Sequence, residues 1–232
     1  CPEEATWMLF TAATFSSTHK HGDDLSFLLY HKGDLFVEGG KRDYNYLEEE
    51  TKWTYSSYAH NVLLVNGEGY PVKYGANGFQ SIYPEALETH IVDFDLSGNT
   101  KSVTGVQKRY ENIEQRRTME YDKENEVVSI KDDIEATESF EGTLLFHVAE
   151  GVKVEEAEKE WKLYRNDELV AVVEVESTKD IELKSVVGEE GEYPYCTWIF
   201  NGYSEPKYGA LLIVEVNCSI GTTEIQTKIN LK

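Results

Sequence analysis

Basic residues are scarce in this chain. Its 232 residues hold 22 lysines and arginines against 43 aspartates and glutamates, a formal net charge of −21. Nucleic acids and anionic membranes are recognised through basic footprints, so this balance argues against both as partners, and its plain consequence is solubility. Proline and methionine are also rare, at 5 and 2, while 15 tyrosines and 9 phenylalanines favour pleated sheet over helix. Cysteine is limited to Cys1, Cys196 and Cys218, an odd number without metal-ligand spacing, which reads as structural or incidental. No apolar run is long enough for a transmembrane helix, so no membrane insertion is expected, and the start lacks the pattern of a secretion signal. The opening "CPEEATWMLF" has no initiator methionine and enters a strand almost at once. It reads as a domain excised from a longer protein, any targeting signal lying outside it.

Short alternating segments fill the rest: "TWMLFTAATF", "LSFLLYHKGDLFVEG", "HNVLLVNG", "EALETHIVDFDLSG", "EVVSIKDDIEA", "GTLLFHVAEG", "ELVAVVEVES", "YGALLIVEVNCSI" and "TEIQTKINLK". Turn chemistry such as "HKGD", "VNGEG", "LSGNT", "DKEN" and "YRNDE" separates them. The only helix-like window, "EGVKVEEAEKEW", has a β-branched start and reads as a polar hairpin or a single turn. No internal repeat or linker divides the chain. One all-β domain over residues 1–232 is expected, a large antiparallel two-sheet sandwich with little helix.

Chemistry-bearing residues gather in the first quarter. In "SSTHKHGDDLSF", His19 and His21 are two apart, a spacing that on a strand points both imidazoles to one face. Such pairs also arise by chance at exposed edges. Glu38 ends the apolar "DLFVE" ahead of two glycines, which permit close approach of a ligand or of backbone; the bland reading is a solvated carboxylate. His60, in "SSYAHNVLLVNG", heads a strongly apolar segment, where a lone histidine is more often a hydrogen-bonded core residue than a ligand. Asp23 and Asp24 either support the histidines through hydrogen bonds or are simply solvated. His31, His90 and His147 belong to no motif and read as surface or core residues.

As an ordered set, H-x-H-x-D-D before an apolar strand, an acidic residue before glycine, and A-H-N before another apolar strand resemble the carboxyl-terminal β-sandwich of the heparinase II/III-like polysaccharide lyases. "LLFHVAEGV" and "GYSEPKYGALLIVEV" resemble that family's later strands, so the likeness covers essentially the whole chain. The resemblance implies a sandwich of supersandwich type, preceded in the full-length protein by a helical toroid absent from this chain, with the active site between the two. It implies that His19 is a catalytic histidine, and that His21, Glu38 and His60 hold a structural divalent metal, commonly zinc. Glu38 stands where the family usually has aspartate. Arg42 and Tyr44 follow as candidate sugar contacts. The implied reaction is β-elimination on an acidic, uronate-containing polysaccharide, with an extracytoplasmic location favoured. Because the toroid supplies the remaining catalytic groups, the fragment alone is expected to be inactive. Two other readings stand beside this one: a noncatalytic carbohydrate-binding or structural sandwich that retains the metal site, and a metal-dependent hydrolase, for which no separate general base is evident.

Overall fold

A computed structural model describes residues 4–13, 20–70, 72–74, 80–82 and 89–232. In chain order its elements are β1 (Thr6–Thr11), β2 (Ser26–His31), β3 (Asp34–Val37), β4 (Gly40–Lys41), α1 (Glu49–Tyr55), β5 (Leu63–Val65), β6 (Val72–Tyr74), β7 (Gln80–Ile82), β8 (His90–Asp95), β9 (Thr100–Tyr110), β10 (Ile113–Asp122), β11 (Val127–Ala136), β12 (Phe140–Val148), β13 (Val152–Glu156), β14 (Glu160–Arg165), β15 (Glu168–Ser177), β16 (Ile181–Val187), β17 (Trp198–Asn201), β18 (Lys207–Tyr208), β19 (Ala210–Cys218) and β20 (Gly221–Leu231). One seven-stranded sheet runs β1-β2-β3-β12-β19-β16, with β5 also paired to β12. An eight-stranded sheet runs β13-β14-β15-β20-β11-β10-β9-β8. Pairing within both is antiparallel, whereas the small β4-β17-β18 ribbon contains one parallel pair, β4 with β17. This is the expected all-β sandwich.

Alternation explains which faces meet. Along β11, the apolar Val128, Ile130, Ile134 and Ala136 and the polar Asp132 are buried while the alternate residues reach solvent, and β20 follows the same alternation. Their inner side chains, with Trp161, Val173, Ile225 and Ile229, pack against Phe27, Phe36, Leu144, Phe146 and Leu212 of the other sheet. Each such side chain fully buried contributes about 1.5–3 kcal/mol. Strands β12 and β19 are instead buried almost continuously. Their sheet is covered on its outer face too, where Leu145, Leu211 and Ile213 pack with Leu64, Tyr58 and Tyr195. A third layer of α1, a 3-10 turn at Ser57–Ala59 and the β4-β17-β18 ribbon lies nearby, around Trp53, Ala59, Cys196 and Phe200. Near-continuous apolar runs such as "GTLLFHVA" are the sequence counterpart of a strand covered on both faces.

The window "EGVKVEEAEKEW" forms most of the β13–β14 hairpin, as anticipated. Helix α1 was not anticipated, because seven residues containing Thr51 and Thr54 give too short a pattern to read. Tertiary contact holds it: Trp53 is buried and its Nε1 donates to the Pro194 carbonyl at 2.8 Å.

Candidate functional site

His21 is not on a strand. β1 ends at Thr11 and β2 begins at Ser26, and residues 20–25 form a loop with a turn, so strand periodicity says nothing about where His21 points. His19 lies outside the described residues. The loop is pressed onto α1 and the turn after it: Gly22 N–H donates to the Tyr55 carbonyl at 2.8 Å, and a Cβ on Gly22 would stand 2.6 Å from Ser57 Oγ. At its end Leu25 is fully buried with φ of 64°, a left-handed conformation that costs an L-residue about 1–2 kcal/mol. That kink turns Asp24 inward and starts β2.

Three sequence-predicted residues converge here. Nδ1 of His21 stands 3.3 Å from Nε2 of His60, and Oε1 of Glu38 stands 3.0 Å from Nδ1 of His60. The second contact is off the line of a straight hydrogen bond, leaving the buried Nδ1 without an in-line partner among the described residues. Ser26 Oγ donates to the same Glu38 oxygen at 2.6 Å. The Tyr55 ring packs on His21 with centroids 4.2 Å apart, and Tyr46 donates to the Tyr55 hydroxyl at 3.3 Å. Burial raises the carboxyl pKa of Glu38, but the nearby charge of His60 and the hydrogen bond from the Ser26 hydroxyl outweigh it and bring the value down to about 2. Burial lowers the His60 pKa, yet Glu38 more than compensates and raises it. Burial and the neighbouring His60 hold His21 down at about 4. Glu38 thus favours the charged form of His60, while burial and His60 favour the neutral form of His21.

The two glycines after Glu38 make room for protein rather than ligand. A Cβ on Gly39 would fall 2.4 Å from the Trp53 ring, and one on Gly40, whose φ is +72°, 2.2 Å from the Phe200 carbonyl oxygen. They allow β4 to lie against β17, which fixes the direction in which Glu38 leaves β3.

Sequence reading missed a buried polar chain under both histidine loops. Arg117 and Asp132, directly paired across β10 and β11 and fully buried, form a two-pronged ion pair of 2.8 and 3.1 Å. Gln115 Nε2 donates to Asp132 at 2.7 Å, Gln107 Nε2 to Gln115 Oε1 at 3.0 Å, and the Arg109 backbone N–H to Gln107 Oε1 at 2.6 Å. Arg109 then ion-pairs with Asp24. From the other end, Arg117 Nη1 donates to the carbonyls of Leu25 at 2.8 Å and Asn61 at 2.6 Å. Asn61, next to His60, is a hub. Its amide nitrogen donates to the Phe27 and Val37 carbonyls at 2.6 and 2.8 Å, and its Oδ1 accepts from His147 N–H at 2.6 Å. The signal was present as polar residues at inward positions of otherwise apolar alternation, such as the aspartate in "VVSIKDDIEA".

The remaining predicted residues divide. Asp24 is fully buried and Asp23 pairs with Lys20, so neither is merely solvated, and each acts through ion pairs. Arg42 Nη1 donates to the Ser204 carbonyl at 3.3 Å and its guanidinium lies 5.8 Å from the Phe200 ring centre. Tyr44 is exposed, with Lys41 Nζ 3.5 Å from its ring centre. His90 is exposed on β8, while His31 is buried between Thr6 Oγ1 at 2.8 Å and the Lys232 carbonyl at 2.9 Å.

His147 is buried and donates from Nε2 to the Tyr58 carbonyl at 2.9 Å. Burial, with His60 nearby, lowers its pKa to about 4, so the unfolded chain takes up this proton first as pH falls. Stability is therefore lost between about pH 6.5 and 4. The His147→Gln variant, which keeps a donor for Tyr58, is expected to lose about 2–3 kcal/mol less than the parent between pH 7 and 4.5 in urea unfolding. Equal losses would show that His147 is not the group responsible.

Comparison with solved structures places this architecture. A heparinase III, the BT4657 gene product with methylated lysines, superposes with a TM-score of 0.79 at 14% identity, over 98% of this chain and 32% of that one. Another heparinase III gives 0.75 at 16% identity over 99% and 34%. The heparan sulfate lyase HepC from Pedobacter heparinus gives 0.74 at 14% identity over 98% and 33%. The chain therefore spans about a third of the length of these structures, and at such identities the likeness is one of fold. A sequence search of curated proteins finds no match. Residues 3–228 match the family described as heparinase II/III-like, C-terminal, and the chain belongs to that family.

Proposed function

We propose that this chain is the carboxyl-terminal sandwich of a polysaccharide lyase that cleaves an acidic, uronate-containing glycan by β-elimination, to which it lends His19. The observation that supports this reading is the convergence of His21, Glu38 and His60 two residues along the chain from His19. β-Elimination removes the C5 proton beside the uronate carboxylate and protonates the C4 oxygen as it leaves, and an imidazole titrating near neutrality can both accept and release that proton. The groups that neutralise the carboxylate would come from the part of the protein preceding the sandwich. The heparan sulfate lyase among the structural relatives supports the same substrate class.

The histidine pair is the proposed seat of a divalent metal, zinc by donor chemistry. Ligands about 2.0–2.1 Å from a tetrahedral ion stand about 3.3 Å apart, which is the separation of His21 Nδ1 and His60 Nε2. Glu38, on the other nitrogen of His60, has the position of a carboxylate that orients a ligating imidazole. Among the described residues no three His, Cys, Asp or Glu side chains close around one point. When bound, the ion supplies a crosslink between the two loops, and its binding energy favours the folded state.

A glycan polyanion must approach a chain of net charge −21. Lys20 is occupied by Asp23 and Asp24, so local positive potential falls to Lys41 and Arg42 beside Tyr44. Full-length protein incubated with a panel of uronate glycans is expected to yield the unsaturated, ultraviolet-absorbing product from at least one of them. No such product from any member of the panel would favour a noncatalytic carbohydrate-binding sandwich instead.

A further inference from the structure

We propose that the buried Asp24–Arg109 ion pair is the positioning device for the loop that carries His19 and His21, making Arg109 of β9 a residue that acts on the reaction through this loop. The effect on turnover rests on the lyase reading; the mechanical claim does not.

The loop is compact by itself, because Lys20 pairs with both Asp23 and Asp24. Those contacts are internal to the loop and do not fix it to the sandwich. Fixing it to the eight-stranded sheet falls to Arg109, whose Nη1 pairs with Asp24 Oδ2, and to Arg117, which holds the Leu25 carbonyl. The Tyr70 hydroxyl adds a 3.1 Å hydrogen bond to the Asp24 carbonyl. Asp24 is fully buried and Arg109 is 5% exposed. An ion pair at such depth is a weak source of stability, because an apolar pair of similar volume often serves as well. Its geometry is what an apolar pair cannot reproduce. Arg109 is preorganised: its backbone N–H is held by Gln107, and its guanidinium lies 5.0 Å from the centre of the Tyr70 ring. The left-handed Leu25 points the same way, since a strained residue persists only where its surroundings over-determine it. His19 is the chain neighbour of Lys20, so the clamped loop begins one residue after it. A misplacement of about 1 Å at a reacting group can cost roughly 100-fold in rate.

The test uses full-length protein and three variants: Arg109→Met, Arg109→Lys, and the double variant Asp24→Asn with Arg109→Met, which leaves no uncompensated charge. In the double variant, folding is expected to be retained and kcat on the cleaved glycan to fall roughly 10- to 100-fold, with KM changed less than about twofold. Arg109→Lys is expected to recover part of that loss. Hydrogen exchange of the loop residues 20–25 is expected to quicken about tenfold in the double variant, while β11 and β20 stay protected. Wild-type turnover in a folded double variant would overturn the proposal, as would unchanged exchange over 20–25. Should the wild-type protein cleave no glycan, the lyase reading fails by itself, and the exchange measurement alone decides the clamp.

Discussion

Asp132→Ala is expected to lower the unfolding free energy by about 3–5 kcal/mol, read from urea midpoints at constant slope. Arg117 and Asp132 are both fully inaccessible, so removing the carboxylate strands a buried guanidinium and also takes the acceptor from Gln115. A double variant, Arg117→Met with Asp132→Leu, separates charge from hydrogen bonding. In many proteins such a swap restores stability, because an apolar pair needs no desolvation. Here Arg117 also supplies the donor to the Leu25 and Asn61 carbonyls, and each buried carbonyl left bare costs about 1–3 kcal/mol. The double variant is therefore expected to stay about 2 kcal/mol or more below the parent. A double variant as stable as the parent would mean that the two carbonyls find other partners and that Arg117 is only half of an ion pair.

That pair also marks the boundary of what was legible in the sequence. Strands such as β11, β12, β19 and β20 announce themselves, because their inward positions are apolar and their ends carry turn residues. β9 and β10, at 11 and 10 residues among the longest strands, do not. Their inner faces hold Gln107, Arg109, Gln115 and Arg117, so the alternation that identifies a half-buried strand is broken where the site is supported. The candidate site divides in the same way. The histidines and Glu38 are visible as residue types in motifs, and the structure brings His21, Glu38 and His60 together. The carboxylates of Asp23 and Asp24, the amide of Asn61 and the kink at Leu25 look ordinary in sequence. Asp23 takes its role from Lys20, three residues away, whereas Asp24 and Asn61 take theirs chiefly from partners 24 to 86 residues away and Leu25 from its backbone conformation, which composition does not encode.

His19→Ala and His21→Ala are expected to fail in different ways in the full-length protein. If His19 transfers the proton, its removal should leave the melting temperature near that of the parent while turnover falls about 10²- to 10⁴-fold, the usual contribution of a general acid or base. His21 sits between Tyr55 and His60, half-buried, so His21→Ala should act on stability. It removes the imidazole facing His60 Nε2 and half of the proposed metal seat. If the proposed seat binds zinc in the parent, the variant purified without chelator should carry less of it on elemental analysis, and its melting temperature should fall and no longer respond to added zinc, because an ion that binds only the folded state stabilises it by mass action. Turnover per folded molecule would fall as a secondary effect, through the loop that both residues share. Zinc content unchanged in His21→Ala would remove this residue from the metal seat. Turnover per folded molecule unchanged in His19→Ala would remove His19 from the reaction, leaving the chain's part in any β-elimination to the proposed sugar contacts Arg42 and Tyr44.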